Sequence, residues 1–98
     1  MELSTEKLKI IEEYSEALLS PSEIAVLIDV EYNDQSLFCD MCINHRRTGV
    51  YQAYQKGKLK TKFELRKTVI KLAKAGSPAA EPLVDKYLKE LSISESNV

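Results

Sequence analysis

Residues 56 to 91 read KGKLKTKFELRKTVIKLAKAGSPAAEPLVDKYLKEL, and the breaks in this stretch decide the fold. Leu59, Phe63, Ile70 and Ala73 recur at helical spacing, with Lys60, Lys67, Lys71 and Lys74 near one other face and Lys58, Lys62 and Arg66 on a flank. Ala75-Gly76 stops that pattern, because glycine tolerates the left-handed conformation that closes many helices. Ser77-Pro78 then supplies a serine N-cap and a proline for the first helical position. Leu83, Val84, Tyr87, Leu88 and Leu91 follow on one stripe. The stretch therefore predicts a helical hairpin. Pro82, five residues after the cap, predicts a kink or a late start in its second arm. Gly57 is open to two readings, a break or a glycine absorbed into one long helix, since glycine inside a helix costs only about 1 kcal/mol relative to alanine.

The same grammar extends toward the N-terminus. Ser20-Pro21-Ser22-Glu23 combines a serine cap, proline at the first position and glutamate three residues after the cap, which opens a short helix through Ile24, Ala25, Leu27 and Ile28. A helix before it starts at Ser4 or Thr5 as cap, presents Leu8, Ile11, Tyr14 or Ser15, and Leu18 on one side and ends near Leu19. After a turn at residues 29 to 33, Asp34 is placed to cap a third helix with Leu37, Phe38, Met41 and Cys42 inward. A helical pattern resumes at Val50, Tyr51 and Tyr54. The fold class is all-α, with four to five helices: a helix-turn-helix-like bundle over 20–47 and a hairpin over 50–91, within one domain spanning 1–91 and followed by a flexible tail, 92–98.

Ninety-eight residues make a modest core, which association with other copies would supplement. No apolar run reaches the roughly 18 residues of a membrane span, and the N-terminus lacks the order of a signal peptide, so a cytoplasmic location is expected. The two cysteines suit a reducing compartment.

Charge is sorted along the chain. Residues 44 to 75 carry ten bases and one acid, Glu64, whereas residues 1 to 43 carry ten acids and two bases, Lys7 and Lys9. Opposite charges beyond a Debye length of about 8 Å scarcely cancel such a block, so it points to a polyanion, or else to acidic and basic faces that bind each other. A merely solvated face usually mixes signs to gain pairs four residues apart. Arg46 and Arg47, after the third helix, suit either its C-terminal dipole or a phosphate.

Other motifs are weaker. Cys39, Cys42 and His45 have metal-like spacing, but no further Cys or His completes a zinc site, and buried thiols fit better. With one histidine and no glycine-rich phosphate loop, neither acyl transfer nor nucleotide hydrolysis is indicated, and the expectation is a protein that is not an enzyme and holds no cofactor or metal. Glu12, Glu13 and Glu16 read as a solvated acidic face, and Tyr51 and Tyr54 as core rather than as a stacking platform.

Two stretches resemble phage terminase small subunits, the DNA-recognition components of viral packaging motors. SPSEIAVLIDV and the helix after it are similar to their helix-turn-helix opening. AYQKGKLKTKFELRKTVIKLAKAGSPAAEPLVDKY resembles their following segment at Tyr54, Gly57 and Lys58, at Ala73, Gly76 and Ser77, and at Ala79 and Ala80. The likeness covers residues 20 to 91. It implies a ring-forming homo-oligomer that binds viral double-stranded DNA and hands it to a large ATPase and nuclease subunit. The third helix opens Asp34-Gln35-Ser36 and carries Asp40, an acidic surface ill-suited to phosphate, and the turn before it lacks the usual glycine. DNA contact is therefore expected from Arg46, Arg47, Lys56, Lys58, Lys60 and Lys62, extended by Lys67, Lys71 and Lys74. Subunit contact is expected through Phe63, Ile70, Leu83, Tyr87 and Leu88. A dimeric transcription regulator and a helical interaction module without DNA are the alternatives.

Overall fold

In a computed structural model the described residues, 3–97, form five α-helices: α1 (Thr5–Glu16), α2 (Pro21–Leu27), α3 (Gln35–Asn44), α4 (Gly49–Lys74) and α5 (Glu81–Ser96). A 3-10 turn at Tyr32–Asp34 leads into α3, and no strand occurs among these residues. The all-α expectation is met. Ser4 caps α1 by accepting from the Lys7 amide at 3.2 Å, and Ser20 and Glu23 form the reciprocal box expected at α2.

Three helices end in the same way. Leu18, Asp29 and Gly76 adopt left-handed backbone with φ of 64°, 61° and 93°. In each case the amide of that residue bonds the carbonyl three residues back, and the next amide bonds five residues further back than itself. Gly76 was legible as such a stop. Leu18 and Asp29 were not, because side chains rarely accept this conformation, and Leu18, expected on one side of α1 with Leu8 and Ile11, lies past its end and is 56% exposed. Asp34, expected to cap α3, makes no side-chain cap bond, since the 3-10 turn holds it in right-handed helical backbone instead of the extended form a cap needs. Pro82 resolves as a late start: residues 77 to 80 form a turn, and Pro82 falls in the first turn of α5, where its missing N–H has no partner to lose. The expected tail from Ser92 is helical to Ser96, whose hydroxyl donates to the Ser92 carbonyl at 2.9 Å, while residue 98 lies outside the described residues.

The chain divides into two compact units, Met1–Lys62 and Phe63–Val98. The division falls inside α4, whose buried residues, Val50, Ala53, Tyr54 and Gly57, all precede it. In the first unit Ile11, Ile24, Ile28, Phe38, Met41 and Cys42 close over Val50 and Tyr54. Side chains satisfy the backbone at its joints: Lys7 Nζ reaches the Ile28 carbonyl at 2.9 Å, and Gln55 the Cys42 carbonyl at 3.2 Å. α4 runs unbroken through Gly57 because α1 crosses there. A Cβ on Gly57 would stand 2.2 Å from the Glu12 carbonyl oxygen and 2.8 Å from Ser15 Cβ. Ser15 is itself buried and donates its hydroxyl to the Tyr54 carbonyl.

The second unit is a hairpin of α4 and α5 with little interior. Ala80 is its one buried residue among those described, and Val69, Ala73, Val84 and Tyr87 are half-buried. Arg66 ties its arms, with its guanidinium 4.0 Å from the Tyr87 ring centre and 2.7 Å from the Glu90 carboxylate.

The α1 crossing implies an inverted glycine effect. Gly57→Ala should lower stability by about 1–3 kcal/mol in urea unfolding, despite alanine's better helix propensity. Leu18→Gly should raise it by about 1 kcal/mol by relieving left-handed backbone.

Candidate nucleic-acid interface

Arg46 and Arg47 lie in the turn that joins α3 to α4, and both are exposed. The turn is fixed by the Thr48 hydroxyl, which donates to the His45 carbonyl at 2.8 Å and accepts from the Tyr51 amide at 3.2 Å. Thr48 thus caps α4, and the two arginines stand between the end of one helix and the start of the next. Arg47 borders a cleft of about 460 Å³ with Leu8, Met41 and Val50. No described carboxylate forms an ion pair with either arginine.

The four α4 lysines of the first unit, Lys56, Lys58, Lys60 and Lys62, are not equivalent. Residues two apart on a helix face different ways. Lys56 and Lys60 turn toward α1, where Lys60 Nζ meets the Glu12 carboxylate at 2.5 Å and stands 3.9 Å from Glu16, while Lys56 is 4.0 Å from Glu12. The hydrogen bond from Lys60 holds the Glu12 carboxyl below its ordinary value, and Glu12 in turn raises Lys60. The Thr61 hydroxyl adds a bond to the Glu16 carbonyl. Lys58 is half-buried, with Nζ 5.3 Å from the Tyr54 ring centre, and Lys62 is exposed. Glu12 and Glu16, read from sequence as a solvated face, are the residues sequence reasoning missed. Their signal, two acids four apart, gains meaning only once Gly57 brings α1 against α4.

In the second unit Lys67 lies 5.2 Å from the Phe63 ring centre, and Lys67, Lys71 and Lys74 are exposed. Of the expected subunit contacts, Phe63, Leu83 and Leu88 are exposed, Ile70 lies at the border at 37% exposure, and Tyr87 is half covered within its own hairpin.

The outward face of α3 consists of Ser36, Leu37, Asp40, Ile43 and Asn44, with no base among them; Leu37, expected inward with Phe38, Met41 and Cys42, is instead 42% exposed. Asp40 accepts from Asn44 at 2.7 Å and lies 2.7 Å from His45 Nε2; chiefly the Asn44 bond, with His45 adding, keeps its carboxyl below the usual value. Cys42 is fully buried, and burial, helped by Cys39, pushes its thiol up to about 12. It is therefore inert at neutral pH. No group of three or more His, Cys, Asp or Glu is arranged for a metal, and no helix is long and apolar enough to cross a membrane, among the described residues.

No protein-family model, curated protein or solved structure matches this chain.

The Glu12–Lys60 pair sets a pH signature. Because the folded carboxyl lies below the ordinary value of 4.5, its contribution is present above that value and is lost as pH falls through the lowered one. NMR titration should place the Glu12 midpoint below 4.5, and Lys60→Met should return it toward 4.5.

Proposed function

We propose that this chain is a DNA-binding homo-oligomer that acts in phage or prophage DNA packaging, in the manner of a terminase small subunit, and is not itself an enzyme. The observation that carries the DNA part is the basic block of residues 44 to 75, whose Arg46, Arg47, Lys58 and Lys62 have no ion pair with a described carboxylate. The outward face of α3 is aliphatic and acidic, so duplex is held by the turn and by α4, with α3 set aside as a reading head. Lys56 and Lys60 join once phosphate displaces the exposed Glu12 and Glu16, an exchange that exposed pairs resist weakly. Lys67, Lys71 and Lys74, expected from sequence to extend the basic surface, belong to the second unit, and the DNA reading does not depend on them.

Support for self-association comes from the hairpin. A unit of Phe63–Val98 with one buried alanine falls in the size range, below about 40 residues, where oligomerisation usually supplies the missing core. Phe63, Leu83 and Leu88 are the apolar side chains offered to another copy, with Ile70 and Tyr87 beside them. The packaging role rests on the likeness at Tyr54, Gly57, Lys58, Ala73, Gly76, Ser77, Ala79 and Ala80. A large terminase subunit is the further partner it implies.

Fluorescence anisotropy with duplex DNA tests the reading. Affinity should fall steeply with salt, and changing Lys56, Lys58, Lys60 and Lys62 together to Glu should abolish binding at about 50 mM salt, each lost phosphate contact flattening the log-log slope by about 0.9. Wild-type affinity that is absent, or untouched by the four changes, would leave the interaction module as the better reading.

A further inference from the structure

Two surfaces in different units match in chemistry. On the first unit, Glu31, Tyr32 and Asp34 of the 3-10 segment lead into Leu37, Asp40 and Ile43 on the outward side of α3. All six are exposed, Tyr32 at 87%, and three are acids. On the hairpin, Phe63, Lys67, Lys71 and Lys74 follow one another at three- and four-residue steps along α4, with the Phe63 ring 59% exposed and Lys67 against it. Neither set of charges is spent by ion pairing nearby, apart from Asp40 beside His45. The bases from Lys67 to Lys74 extend about 10 Å along the α4 axis at about 1.5 Å per residue, and the acids Glu31, Asp34 and Asp40 run from the 3-10 segment into α3.

We infer that the acidic, aliphatic outward face of α3 is a protein-docking surface, and that its occupant is the Phe63–Lys74 face of a second copy of this chain. Three acids meet three bases, and Leu37 and Ile43 receive Phe63. Docking also removes from water the Phe63 ring, an apolar side chain that the hairpin leaves exposed. The contact is heterologous, since the two patches differ, and so it propagates head to tail, as a ring where the rotation between copies closes and as an open filament where it does not. Lys67, Lys71 and Lys74 thereby face a neighbour's carboxylates, and phosphate contact falls to Arg46, Arg47 and the lysines of the first unit. The inference rests on the proposed function only in that copies associate; the DNA claim stands apart.

A charge swap tests it. Light scattering and sedimentation are run on the full chain, on Glu31→Lys/Asp34→Lys/Asp40→Lys, on Lys67→Glu/Lys71→Glu/Lys74→Glu, and on an equal mixture of the two variants. Wild type should assemble, each variant alone should be monomeric or at least about tenfold weaker in assembly, and the mixture should recover it, because every junction then pairs opposite signs. A milder Glu31→Lys/Asp34→Lys variant leaves Asp40 with Asn44 and His45, and circular dichroism verifies that each variant remains helical. A wild type that stays monomeric, variants that assemble like wild type, or a mixture that stays apart would each overturn the inference. Anisotropy on the same samples separates the claims: DNA binding without charge-dependent assembly sinks the docking surface alone, and rescued assembly without DNA binding sinks the packaging reading alone.

Discussion

The passage of α1 across α4 at Gly57 is the constraint on which the first unit depends. With hydrogen in place of a side chain, the Glu12 carbonyl comes closer to α4 than any Cβ would permit. Ser15 then reaches the Tyr54 carbonyl, Thr61 the Glu16 carbonyl, and Lys60 the Glu12 carboxylate. The crossing also presses Ile11 onto the core beside Val50 and Tyr54. A helix that short buries enough only by approaching its neighbour closely, as dispersion and burial both fall away with a small gap.

That crossing changes the meaning of the charge segregation. Acids and bases far apart in sequence are side by side at Glu12, Lys56 and Lys60, so part of the basic block is answered within the chain. What remains outward is divided by position: arginines in the α3–α4 turn, Lys58 resting on Tyr54, Lys62 exposed, and three lysines on the hairpin. Sequence treats these bases alike. Their surroundings do not.

The helices and the start signals of α1 and α2 were legible because they are local, whereas the Ser77-Pro78 start expected for the last helix gave only a turn, with α5 beginning at Glu81. The Ser20–Glu23 box, the Ser4 cap and the Gly76 stop each involve neighbours within a few residues. The left-handed ends at Leu18 and Asp29 escaped because no residue type announces them, and the absent Asp34 cap because a preceding 3-10 turn overrode a good capping residue. The role of Gly57 was left open between break and continuation, since what decides it is a helix about forty positions away. Of the candidate site, sequence supplied the bases but not their partners. Arg66, read as one more flank charge, is the clasp of the hairpin through Tyr87 and Glu90.

A small chain with acidic and basic faces gains from association in a way that a uniformly basic one does not. If each hairpin's lysines meet the next copy's Glu31, Asp34 and Asp40, both charges are neutralised at the junction, and the assembly's remaining positive surface is the repeated Arg46-Arg47 turn and adjoining α4 lysines. On the proposed DNA-binding reading, each such patch alone would hold duplex weakly, with few phosphates and strong screening. Several held on one frame bind the same polyanion at high effective concentration, which multiplies affinity without any new contact. Sequence specificity is not needed for that hold. On the docking proposed for it, the acidic face of α3, unfit for a groove, would serve as the joint that repeats the basic turn.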